Sequence, residues 1–135
     1  MLVVDASVLV TALVDDDADG DEGRRRLRGE HLAAPELIDL EVVSALRRAV
    51  SASAVPPRRA ALAIDDLISM PLLRAPHHRL LTRCWDLREN LTPYDAAYVA
   101  LAEALGAPLL TADARMASAP GIRCEVEVLA SSRDR

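Results

Sequence analysis

The sequence predicts an α/β protein, an α/β/α sandwich with a mostly parallel central sheet. The first observation is that short aliphatic runs end abruptly at an acidic residue, as Leu2-Val3-Val4 does before Asp5. The second is that stretches with helical periodicity separate these runs, which is the order expected for parallel strands joined by helices. With 135 residues, 51% of them hydrophobic, the chain is predicted to be one domain over residues 1–135, because it can bury one core but is short for two.

The first strand is expected to be buried on both faces, because every side chain of Leu2-Val3-Val4 is apolar. A helix is predicted to start just after Asp5, since the apolar pattern that follows is too long for one strand. Asp5 is then at the carboxyl end of a parallel strand, where open α/β sheets bind ligands, and beside a helix N-terminus with positive potential. A purely structural role as a helix cap explains Asp5 equally well at this point.

Residues 15–22 are strongly acidic and are predicted to form a flexible, solvated loop. Their opening matches a calcium-binding loop, but the twelfth position, which needs a bidentate Glu, is Arg26, so a calcium site is rejected. A short exposed helix is predicted to follow. Its arginines either offset the acidic segment or form a basic rim that touches phosphates; they are Arg24, Arg25, Arg26 and Arg28.

The middle of the chain is predicted to alternate strands and helices. A short strand over residues 32–34 precedes a helix over residues 36–50, on which Glu41, Ser44 and Arg48 share one stripe beside a broad apolar arc. Glu41 is therefore expected at the boundary of the core.

A second amphipathic helix is predicted over residues 58–70, followed by a brief strand or connection over residues 72–76 and a further helix over residues 77–87. His77 and His78 open that last helix. Because adjacent side chains on a helix point in different directions, this pair is a poor metal site and is interpreted as surface or capping residues.

The sharpest local signature is Thr92-Pro93-Tyr94-Asp95. Thr92 is a good helix cap, Pro93 suits the first helical position, and an acid three residues after the cap completes a capping box. The helix is predicted to stop at Gly106. Asp95 thus has a sound structural explanation beside a functional one.

A second fully apolar strand, Pro108-Leu109-Leu110, again gives way to an acid, Asp113. Alternating apolar residues over 122–129 then predict a last, edge strand with one solvated face. The acid at the end of this second apolar strand repeats the arrangement seen at Asp5.

The bulk composition narrows the function classes. A net charge of −5 argues against a general nucleic-acid-binding module, although acids that hold a metal ion would contribute to that total. Every basic residue is Arg, which excludes chemistry that needs a lysine, including that of a phosphate-accepting receiver domain. Two cysteines without CxxC spacing, no leader pattern and no apolar stretch of membrane-spanning length predict a reduced, cytoplasmic protein without membrane contact.

Acidic residues from distant parts of the chain are predicted to converge at one edge of the sheet. Asp5 and Asp113 follow strands and Glu41 and Asp95 lie in early helical turns; together they are called the acidic cluster below. Packed carboxylates repel one another, and the usual remedy is a hard divalent cation bound through oxygen. Mg²⁺ suits such a site because it takes one or two carboxylates, keeps waters and binds phosphate oxygens, so a phosphodiester is the expected substrate.

The residues around these acids resemble those of the PIN domain family, and more narrowly of the VapC toxins of type II toxin–antitoxin systems. The block around Tyr94-Asp95 is the most specific part of the resemblance. The matching motifs occur in the right order over nearly the whole chain: Val3-Val4-Asp5-Ala6-Ser7, Pro35-Glu36-Leu37 running to Glu41, residues 91–103, and Leu110-Thr111-Ala112-Asp113.

The resemblance implies a Mg²⁺-dependent endoribonuclease, with Mn²⁺ as a substitute, whose catalytic residues are the acidic cluster. Asp5 and Asp95 would be the principal metal ligands, and Asp113 would bind the metal directly or through water. Glu41 would coordinate the metal or orient the attacking water.

Further residues are expected to support this site. Ser7 and Thr111 would hydrogen-bond the carboxylates or a phosphate, with Asn90 nearby, and the acidic residues 15–22 would repel RNA if they overhung the cleft. The resemblance also implies a homodimer and a VapB-type antitoxin whose tail fills the cleft. The expected phosphate contacts are Arg24, Arg25, Arg26, Arg28, Arg47, Arg48 and Arg115.

An alternative from a different class is a catalytically silent PIN-like module that acts only by binding its partner protein. All members of the acidic cluster are present, so nothing in the sequence favours this alternative.

Overall fold

The computed structural model describes residues 1–132, in which helices flank a central five-stranded sheet. The strands are β1 Leu2–Val4, β2 Leu32–Pro35, β3 Leu72–Ala75, β4 Leu109–Thr111 and β5 Val126–Val128. The helices are α1 Ala6–Val14, α2 Ala18–Leu27, α3 Leu37–Ser51, α4 Pro57–Ser69, α5 Leu81–Asp86, α6 Pro93–Leu105 and α7 Ala114–Ala117, with a 3₁₀ turn at His78–Leu80.

The sheet has the order β3-β2-β1-β4-β5, and every neighbouring pair is parallel. The predicted α/β/α fold with a mostly parallel sheet is confirmed. The chain winds outward from β1 to β3 and then returns to the other side of β1 with β4. This reversal creates a topological switch point between β1 and β4, and in such sheets ligands bind beyond the carboxyl ends of the strands at that point.

The two strands at the switch point are buried along their whole length, as their apolar sequences predict. Both faces of β1 and β4 are covered, and Thr111 at the end of β4 is a fully buried polar residue. Because a buried hydroxyl needs a hydrogen-bond partner, the end of β4 is where a polar network is expected.

Helix α6 lies in the core through its small residues: every residue from 96 to 102 is buried, including Tyr98. Its predicted caps are confirmed. The hydroxyl of Thr92 accepts a hydrogen bond from the backbone N–H of Asp95 at 3.2 Å, and Gly106 ends the helix with a φ of +60°. Alanines let the helix approach the sheet closely, which brings its first turn to the switch point.

The predicted loop over residues 15–22 is wrong, because helix α2 begins at Ala18. Two glycines let this polar helix lie close against α1. A Cβ on Gly20 would stand 1.8 Å from the carbonyl oxygen of Asp15, and one on Gly23 would lie 3.6 Å from Ala12. Composition alone favours a loop here, whereas backbone packing through glycine and acids in the first turn favour the helix.

Two other predictions need adjustment. The strand predicted over residues 122–129 shortens to Val126–Val128, and the helix predicted over residues 77–87 divides into the 3₁₀ turn and α5. Helix α7, directly after Asp113, was not predicted. His77 acts as a cap, since its Nε2 accepts a hydrogen bond from the backbone N–H of Leu37 at 3.0 Å.

None of the helices within residues 1–132 is both long enough and apolar enough to cross a lipid bilayer.

Candidate active site

The acidic cluster lies at the switch point of the sheet. Asp5 follows β1 and Asp113 follows β4, and these strands are neighbours. Asp95 is in the first turn of α6, which packs on the same strands, and Glu41 is in the second turn of α3. Residues far apart in the sequence therefore lie at the same edge of the sheet.

The pKa values of Glu41 and Asp95 show that both carboxylates lie near other negative charges of the cluster. Burial raises the pKa of Glu41, and the charges of Asp5 and Asp95 raise it further against the opposing hydrogen bond from Tyr98. Burial also raises the pKa of Asp95, with added repulsion from Asp5 and Asp113. Negative charge is thus concentrated and under-compensated, which is the condition that a bound cation relieves.

Two hydroxyls hold Asp5, whose residue surface is only 8% exposed. Its Oδ2 accepts hydrogen bonds from Ser7 Oγ at 2.9 Å and Thr111 Oγ1 at 2.8 Å. The same hydroxyls accept from the backbone N–H groups of Ala112, at 3.1 Å, and Asp113, at 3.0 Å. This network joins the ends of β1 and β4 and gives Asp5 one orientation.

The interpretation of Asp5 as a helix cap fails in this structure. Asp5 occupies the N-cap position of α1, but within residues 1–132 its side chain makes no capping hydrogen bond. The carboxylate instead faces Ser7 and Thr111. A buried acid that does not cap its helix needs another explanation, and the acidic cluster supplies one.

Tyr98 is a site residue that the sequence reasoning missed. Its fully buried hydroxyl donates a hydrogen bond to Oε1 of Glu41 at 2.6 Å. Burial and this bond raise the pKa of Tyr98, so the phenol remains a donor. One signal was available, because Tyr98 lies three residues after Asp95 and thus on the same face of the helix.

Asp95 and Asp113 border a cavity of about 270 Å³. The other side chains on this cavity include Asn90, Thr92 and Arg115. Asn90 lies at the rim, where its Nδ2 donates to the carbonyl oxygen of Pro120 at 3.3 Å. The structure therefore places Asn90 beside the acidic cluster, without a hydrogen bond to any of its members among the described residues.

Asp113 is paired with Arg115 two residues later. Arg115 Nε donates to Oδ1 at 3.0 Å and Nη2 donates to Oδ2 at 2.8 Å. The backbone N–H of Arg115 also donates to Oδ1, so that Asp113 caps α7. Hydrogen bonding by Arg115 holds the pKa of Asp113 below its usual value.

The other arginines predicted to contact phosphate make no side-chain hydrogen bond to the acidic cluster among the described residues. Arg24 binds the carbonyl oxygens of Ala12 and Asp15 at the C-terminal end of α1, opposite Asp5. Because Asp15 ends α1 there, the acidic residues 15–22 begin at the far end of this helix from the acidic cluster. Within the described chain Arg28 and Arg47 are exposed. Arg25 pairs with Glu22, Arg26 with Glu30 and Glu127, and Arg48 with Ser44 on the helix that carries Glu41.

The donor chemistry of the acidic cluster fits Mg²⁺ or Mn²⁺, since all of its donors are carboxylate oxygens. Over residues 1–132, no three acidic, His or Cys side chains stand in an arrangement that could hold a metal together. Two members face protein donors instead, Glu41 towards Tyr98 and Asp113 towards Arg115. Mg²⁺ is commonly held by one or two carboxylates with water as the remaining ligands, so the chemistry does not require three.

Comparisons with known sequences match this chain along most of its length. The model of the PIN domain family matches residues 2–122, a span that contains the whole acidic cluster. Ribonuclease VapC1 of Mycobacterium tuberculosis is 45% identical over 128 residues, covering 94% of this chain and 96% of that protein. Ribonuclease VapC12 of the same organism is 39% identical over 130 residues, covering 96% of this chain and 100% of that protein.

Solved structures show the same fold. The crystal structure of PAE2754 from Pyrobaculum aerophilum matches with a TM-score of 0.68 and 26% identity, covering 94% of this chain and 83% of that chain. A chain of VapBC2 from Rickettsia felis, crystallised with a DNA fragment from its promoter, matches with a TM-score of 0.67 and 16% identity. The match covers 96% of this chain and 98% of that chain.

Proposed function

This chain belongs to the PIN domain family and to its VapC group, and from that membership we propose that it is an endoribonuclease toxin of a type II toxin–antitoxin pair. The observation that carries the proposal is the acidic cluster itself. Its members lie at the switch point, and burial together with the neighbouring carboxylates raises the pKa of Glu41 and of Asp95.

The proposed cofactor is Mg²⁺, for which Mn²⁺ can substitute. Asp5 and Asp95 would be its principal ligands, with Asp113 binding directly or through water and Glu41 near the attacking water. The bound cation would supply Lewis-acid stabilisation of charge on the phosphodiester oxygens. This assignment is supported by an all-oxygen donor set and by uncompensated negative charge.

The chain's own residues would position the reacting groups. Ser7 and Thr111 fix one oxygen of Asp5, which leaves Oδ1 free of these bonds. Tyr98 fixes one oxygen of Glu41 and leaves the other to orient water. The raised pKa of Glu41 suits a group that accepts a proton from water, because general bases work best when their pKa approaches the working pH.

The proposed partners are an RNA substrate, a VapB-type antitoxin and a second copy of the chain in a homodimer, acting in the cytoplasm. Support comes from the VapC relatives and from large apolar side chains on the surface, including Leu40, Ile68 and Trp85. Exposed side chains of this size are common where proteins bind one another.

The test is cleavage of single-stranded RNA by purified protein with Mg²⁺, Mn²⁺ or excess EDTA. Cleavage should require metal, and Asp5→Asn or Asp95→Asn should lower the rate roughly 100-fold or more while the fold is retained by circular dichroism. Asp65→Asn, which changes an exposed acid on α4, is the matched control. Retained cleavage in both site variants would falsify the site assignment. Absence of cleavage under every condition would favour the catalytically silent module.

A further inference from the structure

Arg115 differs from the other arginines of the described chain in what it binds. It donates two side-chain hydrogen bonds to Asp113, a member of the acidic cluster. The partners of Asp5 and Glu41 are instead uncharged hydroxyl groups. Its side chain is 89% exposed and that of Asp113 is 28% exposed. The pair therefore stands at the solvent side of the cavity, and among residues 1–132 the guanidinium is hydrogen-bonded to Asp113 alone.

The pair uses both oxygens of Asp113. Oδ1 accepts from Arg115 Nε and from the backbone N–H of Arg115, and Oδ2 accepts from Nη2. A cation that approaches this carboxylate meets a positive charge already bound there. The influence also reaches the neighbouring acid, because Arg115 opposes the rise in the pKa of Asp95.

We propose that Arg115 is a positioning residue that exchanges between two anions, Asp113 while the site is free of metal and a phosphate of the RNA once Asp113 binds a divalent cation. The inference rests on the proposed nuclease function and adds to it a competition between Arg115 and the divalent cation for the carboxylate of Asp113. Arg115 occupies the same carboxylate that the metal needs. Once released, its guanidinium is free to bind a phosphate of the RNA beside the metal.

The chemistry of the side chain suits both positions. A guanidinium presents a planar fork of donors that matches carboxylate and phosphate equally well. An ion pair this exposed is weak because water and salt screen it, so it can be broken when another cation takes the carboxylate. Since Arg115 is only two residues from Asp113, the freed guanidinium stays at the rim of the cavity.

The first arm of the test measures Mn²⁺ affinity of the full chain without RNA, by calorimetric titration. Arg115→Ala should bind Mn²⁺ about two- to five-fold more tightly than the native chain, the range expected for loss of an exposed competing cation. Arg115→Lys, which keeps the charge but loses the fork, should lie between them. Arg123→Ala removes an exposed charge whose neighbours are Glu103 and Cys124 and should leave the affinity unchanged.

The second arm measures cleavage of an oligoribonucleotide at saturating Mn²⁺. Arg115→Ala should raise KM with little change in kcat, and the salt dependence of binding should flatten by about one charge. Tighter metal binding combined with weaker RNA binding is a pair of opposite effects that damage to the fold would not produce.

The two arms separate the two hypotheses. Unchanged or weaker Mn²⁺ affinity in Arg115→Ala, or equal tightening in Arg123→Ala, overturns the exchange even if RNA is cleaved. Tighter affinity without any RNA cleavage supports the competition for Asp113 and overturns the nuclease proposal. Failure of the native chain to bind Mn²⁺ overturns both.

Discussion

Tyr98→Phe removes one hydroxyl and provides the sharpest test of how the acidic cluster is built. The lost hydrogen bond is 2.6 Å long, comes from a fully buried donor and ends on a half-buried carboxylate. A hydrogen bond to a charged group contributes about 1.5 to 3 kcal/mol. At about 3 °C per kcal/mol for a chain of this size, the melting temperature in EDTA at neutral pH should fall by roughly 5 to 9 °C.

The loss should depend on pH with a definite sign. The folded pKa of Glu41 is raised above 4.5, so the folded state binds the proton more tightly and stability falls as the pH rises through that folded pKa. The hydrogen bond from Tyr98 lowers this pKa. Its removal therefore raises the folded pKa of Glu41 and extends to higher pH the range over which stability falls. The effect of Tyr98→Phe should therefore shrink to about 1 kcal/mol near pH 4, where Glu41 is protonated and the lost bond is a neutral one.

Urea unfolding of the two chains across this pH range measures the difference. Tyr94→Phe is the matched control, because Tyr94 lies on the same helix with 64% of its surface exposed, and its effect should stay within about 0.5 kcal/mol. The double variant with Glu41→Gln should show strong coupling between the two positions. The reasoning would be refuted if Tyr98→Phe lowered the free energy of unfolding no more than Tyr94→Phe does, or by an amount that does not depend on pH.

Three further outcomes follow from the same contacts. Gly20→Ala should destabilise the chain by several kcal/mol, roughly 3 or more, because its Cβ would overlap the backbone of Asp15, the C-cap of α1. Gly23→Ala meets ordinary contact distances and should be nearly neutral in thermal unfolding. Asp95→Asn should leave the metal-free protein as stable or more stable at neutral pH, since the ionised carboxylate is disfavoured and the backbone donor of the cap is kept; a clear drop in melting temperature would contradict this. Thr111→Val should cost about 2 kcal/mol, because it leaves Asp5 and the partly buried backbone N–H of Asp113 short of a partner; chemical denaturation would show whether the cost is this large.

The elements that lie next to one another in sequence were the easiest to predict. Buried strands followed by acids, and Thr92 followed by Pro93, are local patterns whose physics acts within a few residues. They led to the parallel sheet, to helix α6 and to the acids at its edge. The roles of those acids in metal binding and catalysis remain predictions.

Features that depend on distant packing were not predictable in the same way. Tyr98 reads as one more apolar residue of a buried helix, and its partner Glu41 lies 57 positions away. Composition marks residues 15–22 as a loop because they lack apolar side chains, yet Gly20 allows a close backbone contact that makes a helix of part of them. Charge alone likewise could not distinguish Arg115, at the acidic cluster, from Arg24, which binds the end of α1.

The bonds from Thr111 and Ser7 to Asp5 have a consequence for synthesis of the chain. The bond from Thr111 connects Asp5 with a residue made 106 positions later. During translation β1 exists long before β4, so a growing chain carries Asp5 without the hydroxyl and the acid that complete its surroundings. On the proposed mechanism, a growing chain that stops before Thr111 lacks this contact and should not cleave RNA.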